Sequence, residues 1–338
     1  MNTINSFDAH KYEYSVLRSH SPELGYKEGR DIAVWRREVK ERLTELLGLP
    51  LPEGKGALEL EYEKDKDDHT EYRFTVETEP GYRIPCHLLI PSGIKGKVPL
   101  TVCLSGHGSG MHIALGVAKN EKDEKSLREW HHRAMGPRSL REGRAALIIE
   151  SRHFGETSVE GIGTSCTEAA KLAILVGRTL IGERVSDAMR VLDAVLDRFD
   201  LLDTRGIVCT GNSGGGTATY YLACLDERIE YAAPSCAVCG YEDSIAAMPH
   251  CLCNHVPSIR KYFEMSDLSV LIAPRRLIIA AERLDPIFPI EGTKKTFAEI
   301  KRIYEASGAP DNCSLLVGES GHYNYADLIW EELHRIGV

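Results

Sequence analysis

Hydrophobic and polar residues follow a helical spacing in the first part of the chain. Between residues 32 and 47, apolar side chains recur every three or four positions, as at Trp35, Val39 and Leu43. Side chains at that spacing share one face of a helix, which predicts an amphipathic helix here. We therefore expect residues 1–57 to form a helical extension that lies across the main domain.

The spacing changes to alternation near residue 58. Apolar and polar residues alternate over 58–62 and 72–76, and a third apolar run covers 82–90. A period of two places successive side chains on opposite faces of a strand. Three such runs, separated by turn residues, predict the antiparallel start of a sheet.

From residue 98 onward, short apolar runs alternate with helical stretches, the longest of which spans 168–199. This alternation predicts an α/β fold with a mostly parallel central sheet and helices on both faces. We assign residues 58–338 to this one domain, with a small insertion at about 240–265. The predicted strands of the parallel part are 98–104, 145–150, 206–210, 231–237, 276–281 and 313–317.

Composition and charge narrow the range of partners. The 338 residues have a net charge of −9, so there is no basic excess to neutralise nucleic-acid phosphates. No apolar run reaches membrane-spanning length, and residues 1–10 lack the basic and apolar parts of a secretory signal. We therefore expect a cytoplasmic protein with neither a nucleic-acid nor a membrane partner. Its ten cysteines are expected to be reduced thiols.

Polar, Gly-rich loops follow most of the predicted parallel strands. In an open parallel sheet the carboxyl ends of the strands meet at one edge, where ligand sites form. We therefore expect the chemistry of this protein at that edge. The loops concerned are 105–110, 151–156, 211–215, 282–289 and 318–323.

One of these loops has the pattern of a nucleophile elbow. Residues 211–215 are Gly-Asn-Ser-Gly-Gly, and they lie between an apolar run and a small, apolar stretch suited to a helix. Strand, G-x-S-x-G and helix in that order place a serine hydroxyl on a sharp, strained turn, which makes Ser213 the predicted nucleophile. The alternative is a Gly-rich turn that cradles a phosphate.

A serine nucleophile needs a base, and the base needs an acid that orients it. His322, in the Gly-rich loop after the last predicted strand, is the predicted base. Asp285 is the predicted acid, and Glu282 is the second choice. The order Ser213, Asp285, His322 is the order typical of a G-x-S-x-G hydrolase sheet.

Acyl transfer also needs hydrogen-bond donors for the oxyanion. We predict the backbone N–H of Gly214, next to the nucleophile, as one donor. The other is predicted to be the N–H of His107, with Gly108 as second choice and as a candidate for substrate binding. His107 and Gly108 both follow the first predicted parallel strand.

These residues resemble the α/β-hydrolase superfamily, and within it the acetyl-xylan-esterase-like and dienelactone-hydrolase-like bacterial branch. The resemblance implies the α/β-hydrolase fold and a short acyl substrate such as an acetylated sugar. Dienelactone hydrolases use a cysteine nucleophile, so a serine at 213 favours ester hydrolysis; the lack of an export signal favours a small ester over polymeric xylan. The matching stretches are 105–111, 152–156, 175–185, the elbow, and 273–279 with 285–289.

The sequence thus predicts a serine carboxylic-ester hydrolase that acts on a small molecule and uses no cofactor or metal. Two alternatives stay open: a serine peptidase or amidase of the same fold, and a non-catalytic binding member. Exposed strands at the edges of such a sheet can pair with another copy of the chain, so a homo-oligomer is also possible. For Arg152 and Arg178 the choice is between substrate binding and an ion pair with an acid such as Glu156 or Glu183.

A cluster of cysteines and histidines falls in the predicted insertion. Cys and His at such spacings can bind zinc, but Cys236 and Cys239 lie on or just past a predicted buried strand. Two ligands in a Cys-x-Cys pair are also awkward on one ion. We therefore interpret the cluster as buried thiols near the pocket. Its members are Cys236, Cys239, His250, Cys251, Cys253 and His255.

Overall fold

A computed structural model describes residues 7–129, 133–159, 161 and 163–338. Within them, nine strands form a single sheet. The strands are β1 (Leu58–Asp65), β2 (His69–Glu79), β3 (Tyr82–Pro91), β4 (Leu100–Leu104), β5 (Ala145–Ile149), β6 (Ile207–Asn212), β7 (Ile229–Ser235), β8 (Arg276–Glu282) and β9 (Cys313–Gly318).

The sheet has an antiparallel part and a parallel part. Its strand order is β1-β2-β3-β5-β4-β6-β7-β8-β9. The pairs β1–β2, β2–β3 and β3–β5 are antiparallel, and every pair from β5 to β9 is parallel. Because the last six strands in that order run the same way, their carboxyl ends meet at one edge. Both the antiparallel start and the parallel remainder confirm the prediction.

Helices cover both faces of the sheet, as predicted. On one face α2, α7, α8 and α10 share one apolar cluster with sheet residues such as Val102 and Leu104 of β4. On the other, α3 and α5 pack against Cys103, and α11 packs further along, against Val208. The helices are α1 (Ala9–Ser19), α2 (Ile32–Leu46), α3 (Met111–Leu115), α4 (Glu121–Glu129), α5 (Met135–Arg141), α6 (Cys166–Leu175), α7 (Leu180–Arg198), α8 (Gly214–Leu225), α9 (Ile259–Tyr262), α10 (Ile290–Ala306) and α11 (Ala326–Arg335). None of them is both long enough and apolar enough to cross a bilayer.

The N-terminal helix α2 is part of the core. Trp35, Val39 and Leu43 are fully buried on its inner face, as their spacing predicted. The Trp35 indole donates a hydrogen bond to the Leu24 carbonyl at 2.7 Å, which satisfies its polar atom inside the apolar cluster. The helix therefore contributes to the hydrophobic core rather than only resting on it.

The long helix predicted over 168–199 is wrong as a single element. The structure has two helices there, α6 and α7, separated by four residues. Gly177 has a φ of 72°, a left-handed conformation that stops α6 and favours glycine. Thr179 then caps α7, because its hydroxyl accepts a hydrogen bond from the Gly182 N–H at 3.1 Å. Apolar residues continue at helical spacing across this break, so the hydrophobicity pattern alone does not reveal where α6 ends and α7 begins.

The predicted insertion contains only short elements between β7 and β8. Residues Leu252–Asn254 form one 3-10 turn, and α9 follows after a few residues. A second 3-10 stretch, Met265–Leu271, then leads towards β8. The segment lies close to the carboxyl edge of the sheet, since Cys253 contacts the loop after β4.

Candidate active site

Ser213 occupies a strained elbow between β6 and α8. Its φ of 55° and ψ of −120° lie in a region that residues with a Cβ rarely adopt. A Cβ at Gly215 would be 1.9 Å from the Leu104 carbonyl oxygen, and one at Gly211 would be 2.4 Å from that of Gly215. Glycine is therefore required on both sides of the serine. The Ser213 hydroxyl makes no capping bond to α8, so it stays available for chemistry.

The predicted acid and base form a hydrogen-bonded pair. Nδ1 of His322 lies 2.8 Å from Oδ2 of Asp285. The other carboxylate oxygen accepts hydrogen bonds from the backbone N–H groups of Ile287 and Phe288, at 2.7 and 3.0 Å. Burial opposes ionisation of Asp285, but its hydrogen bond and charge interaction with His322 outweigh burial and lower the pKa of the carboxyl. An ionised Asp285 fixes the histidine with its proton on Nδ1.

The other ring nitrogen of His322, Nε2, is the atom that would take the proton if this histidine is the base that the sequence predicts. Nε2 is buried and has no hydrogen-bond partner in the described part of the chain. The ring stacks on Phe288, with centroids 6.0 Å apart and planes 10° apart. His322 and Ser213 line the same cavity, which has a volume of about 460 Å³. We call Asp285, Ile287, Phe288 and His322 the acid–base wall; Ile287 and His322 line the cavity, and Asp285 and Phe288 support His322.

Glu282, the second choice for the acid, occupies a different environment. It is fully buried, and its Oε1 is 3.4 Å from the Cys236 thiol. Its Oε2 has no partner among the described residues. Burial, with the nearby charge of Asp285, raises the pKa of Glu282 to about 8. The structure therefore pairs His322 with Asp285 and leaves Glu282 as a neutral carboxyl behind it.

The predicted oxyanion donors belong to what we call the oxyanion wall: Gly106 and His107, which line the cavity, and Gly214, which follows the cavity-lining Ser213. A Cβ at Gly106 would be 2.5 Å from the Asn212 carbonyl oxygen, so the loop after β4 lies directly against the end of β6. A Cβ at Gly214 would be 2.8 Å from Cε1 of His107. The two predicted donor residues are thus in contact. Gly108 lies one residue further along, with a φ of 144°, and is not part of the cavity lining.

Arg133 also lines the cavity, and no motif in the sequence pointed to it. Its guanidinium donates hydrogen bonds to the Ser126 hydroxyl at 2.7 Å and to the His107 carbonyl at 3.3 Å. Burial lowers the pKa of this guanidinium. Arg133 therefore brings a cationic group to the cavity and supports the loop that holds His107.

Arg152 and Arg178 form ion pairs outside the cavity lining. Arg152 makes a bidentate pair with Asp187, at 2.6 and 2.8 Å, and a further bond of 2.7 Å to Glu79. Arg178 lies 2.9 Å from Glu79 and 3.5 Å from Glu183. For both arginines the structure favours the ion-pair alternative over substrate binding. The predicted acid Glu183 takes part, but the main partners are Asp187 and Glu79.

The thiols of the insertion come together with residues from two distant segments. Cys251 and Cys253 meet Cys166 and His107, and the four possible ligand atoms all lie within 4.8 Å of one another. This group differs from the cluster that spacing suggested. The other four residues of that cluster have different partners. The thiols of Cys236 and Cys239 contact the backbone carbonyls of Tyr323 and Pro289. The rings of His250 and His255 contact the Asn254 side chain and the Cys251 carbonyl.

With this geometry in place, comparison with known proteins identifies the family. A model of the Abhydrolase family (Abhydrolase_7) matches residues 14–327, nearly the whole chain. The chain belongs to the Abhydrolase family. Membership confirms the resemblance to α/β-hydrolases, and the sheet described above confirms the fold.

Individual relatives of this Abhydrolase chain are distant in sequence. The "Putative hydrolase YtaP" of Bacillus subtilis (strain 168) is 25% identical over 299 residues, which cover 86% of this chain and 95% of YtaP. Two solved structures share the fold over almost their whole length. A "putative acetyl xylan esterase" of Bacteroides fragilis NCTC 9343 has a TM-score of 0.82 at 16% identity and covers 98% of this chain and 95% of its own. A glucuronoyl esterase from Solibacter usitatus has a TM-score of 0.69 at 16% identity, with 93% and 95% covered.

Proposed function

We propose that the protein is a serine-dependent carboxylic-ester hydrolase for short acyl esters, with an acetylated sugar as the favoured substrate. The observation that supports it most directly is the hydrogen-bonded Asp285–His322 pair, because His322 lines the same cavity as Ser213 at its strained elbow and its Nε2 has no partner in the described part of the chain. A binding protein would need neither the strain at Ser213 nor the buried pair.

In the proposed reaction, the Ser213 hydroxyl attacks the acyl carbon while Nε2 of His322 takes its proton. The N–H groups of Gly214 and His107 stabilise the oxyanion of the tetrahedral intermediate. As the intermediate collapses, the C–O bond to the alcohol breaks and His322 returns the proton to the leaving oxygen. A water molecule then attacks the acyl-enzyme by the same route, releasing the acid and restoring Ser213.

Three features support a small sugar ester as the substrate. The cavity volume of about 460 Å³ is sufficient for one or two sugar units rather than a folded polymer. Arg133 offers N–H donors that suit sugar hydroxyls or a sugar carboxylate. Finally, two proteins of similar fold are named as an acetyl xylan esterase and a glucuronoyl esterase.

The test is the hydrolysis of p-nitrophenyl acetate and butyrate by the wild type and by Ser213→Ala. We expect kcat to fall by roughly 10⁴- to 10⁶-fold in the variant, as when a triad serine is removed. Mass spectrometry after fluorophosphonate treatment is expected to show one adduct, on Ser213. The control is Ser307→Ala at the end of α10, far from the cavity, which should match the wild type.

Three outcomes would contradict the proposal. Folded wild-type protein with neither turnover nor an adduct would point to the binding alternative. Faster cleavage of aminoacyl anilides than of aryl acetates would point to an amidase. Turnover that persists in Ser213→Ala would place the nucleophile elsewhere.

A further inference from the structure

Three sulfur atoms and one imidazole nitrogen meet behind the oxyanion wall. Sγ of Cys253 lies 3.3 Å from Nε2 of His107 and 3.2 Å from Sγ of Cys251. Sγ of Cys166 lies 3.9 Å from the same histidine nitrogen. The ligands come from the loop after β4, the first residue of α6 and the 3-10 turn of the insertion. We call these four residues the sulfur cluster.

The spacing of these atoms matches the ligand shell of a tetrahedral metal ion. With Zn–S bonds of about 2.3 Å and Zn–N bonds of about 2.0 Å, neighbouring ligands lie about 3.5–3.8 Å apart. The two sulfur–nitrogen separations, 3.3 and 3.9 Å, lie within about 0.4 Å of the roughly 3.5 Å expected for such a pair, whereas the one sulfur–sulfur separation of 3.2 Å is about 0.6 Å shorter than the roughly 3.8 Å expected for two sulfurs. All four possible ligand atoms lie within 4.8 Å of one another. The Cys-x-Cys pair is suitable here because Cys251 is extended just before the 3-10 turn that holds Cys253, and the two sulfurs lie 3.2 Å apart.

A buried cation beside the cluster provides the second observation. Arg184 is 4% exposed, and its guanidinium donates to Sγ of Cys166 at 3.2 Å. Its other described contacts are the Arg152 carbonyl and the face of Phe154, so none of them is a carboxylate. A buried arginine requires a compensating negative charge. Zinc with three thiolates and a neutral imidazole has a net charge of −1, which would balance Arg184.

We propose that His107, Cys166, Cys251 and Cys253 bind one Zn²⁺ ion in a closed, structural Cys₃His site. Thiolate and imidazole ligands in a tetrahedral set select zinc over calcium or magnesium. All four positions are filled by protein, so the ion has no open position for a substrate. The hydrogen bond from Arg184 to Cys166 would orient that ligand. This site departs from the expectation, drawn from the sequence, that the protein uses no metal.

The metal would fix the geometry of the oxyanion wall. With Nε2 on zinc, the His107 ring is held against Gly214, where a Cβ would be only 2.8–2.9 Å from its Cε1 and Nδ1 atoms. The ring also packs on Phe154, with centroids 4.7 Å apart. The ion would thereby tie the loop after β4 to α6 and to the insertion. Binding of the metal itself does not depend on the proposed ester hydrolysis.

The test is a measurement of metal content on tag-free protein, grown with zinc and purified without chelator. We expect about one zinc per chain by mass spectrometry of the elements, and X-ray absorption that fits three sulfur ligands and one nitrogen. Cobalt(II) in place of zinc should show the absorption bands of tetrahedral thiolate coordination. Cys166→Ser and Cys253→Ser should each lower bound zinc at least tenfold. The matched control, Cys239→Ser, alters a buried thiol outside the cluster and should retain the metal.

Other outcomes would overturn the proposal. Wild-type protein that neither contains zinc nor binds cobalt would do so. A wild-type mass two units below that of the reduced chain, with a disulfide mapped between two of the three cluster cysteines, would also overturn the proposal. Should the serine variants fail to fold, titration of the wild-type thiols with a mercurial replaces them. Zinc must then be released in step with modification of these cysteines, and thiols that react without releasing zinc would contradict the site.

Discussion

The two walls of the candidate catalytic cavity are held by different chemistry. On the acid–base wall, His322 is fixed by the Asp285 carboxylate, and that carboxylate is fixed by backbone N–H groups two and three residues further on. All of these groups lie in the loops after the neighbouring strands β8 and β9. On the oxyanion wall, His107 contacts sulfur atoms from α6 and from the insertion, with a buried arginine behind them.

This difference shows how two demands of one reaction are met. The base must change its protonation state during each turnover, so its support is a carboxylate that can stabilise the charged imidazolium. The oxyanion donors must keep their positions throughout, so a rigid set of ligands suits them better. Under this interpretation, a change on the acid–base wall alters proton transfer, whereas a change in the sulfur cluster alters geometry alone.

The largest effect is expected from Asp285→Asn. The amide cannot stabilise the imidazolium and favours the wrong tautomer of His322, so kcat for an aryl acetate should fall about 10⁴-fold. Thermal unfolding would establish that the variant is folded. Glu282→Gln is the matched comparison next to that wall, and it should cost less than about tenfold because the hydrogen bond of His322 goes to Asp285, whereas Glu282 pairs with Cys236. A larger loss in Glu282→Gln than in Asp285→Asn would reverse the assignment of the acid.

A smaller loss is expected from Cys253→Ser, which alters the oxyanion wall. If the cluster positions His107, kcat should fall by up to about 10²-fold, the cost of one misplaced oxyanion donor. The dependence of kcat/KM on pH should keep the wild-type shape, because the Asp285–His322 pair is unchanged. The control is again Cys239→Ser.

The pH profile separates the interpretations of that experiment. A profile that shifts in Cys253→Ser would mean that the cluster acts on the base, and the distinction between the walls would be lost. An unchanged kcat in protein that has lost its zinc would mean that the metal does not support the oxyanion wall.

Ser213 and the acid–base wall could be predicted from the sequence because their signals are local. Ser213, Asp285 and His322 each lie just after a short apolar run, and parallel strands bring such positions to one edge of the sheet. The glycines around Ser213 are dictated by contacts within the elbow and with the end of the neighbouring strand β4, where the Leu104 carbonyl lies. Because parallel strands end at the same edge, the order of the strands along the chain was sufficient to place Ser213, Asp285 and His322 in one region.

The oxyanion wall could not be predicted in the same way, because its supports meet only after the chain has folded. Cys166 is far in sequence from both His107 and Cys253, and no spacing links them. The sequence instead grouped Cys253 with Cys236 and Cys239, its neighbours along the chain. Arg133 likewise carries no motif, and it reaches the cavity only through the position of its loop.

The smallest effect on activity is expected from Glu282, which lies next to the acid–base wall, and its charge is instead tested through stability. We infer that Asp285 is ionised and Glu282 is neutral. With the pKa of Glu282 raised to about 8 in the folded protein, its side chain stays protonated while the unfolded chain ionises above about pH 4.5. The unfolded state then binds fewer protons, so the wild type loses free energy of unfolding between about pH 4.5 and pH 8. Glu282→Gln cannot ionise and lacks this loss. Its Tm relative to the wild type should therefore rise from pH 5 to about pH 8 and then level off.

Scanning calorimetry across that pH range measures the difference directly. The groups that face Glu282, namely Asp285, the Cys236 thiol and Tyr325, are present in both proteins, so their own titrations cancel in the difference to first order. Glu291→Gln, an exposed change in the first turn of α10, should give a difference that is nearly flat with pH. A flat difference for Glu282→Gln as well would mean that Glu282 is ionised in the folded state. Two adjacent negative charges, on Asp285 and Glu282, would then lie at the acid–base wall, and His322 would be stabilised by both carboxylates rather than by Asp285 alone.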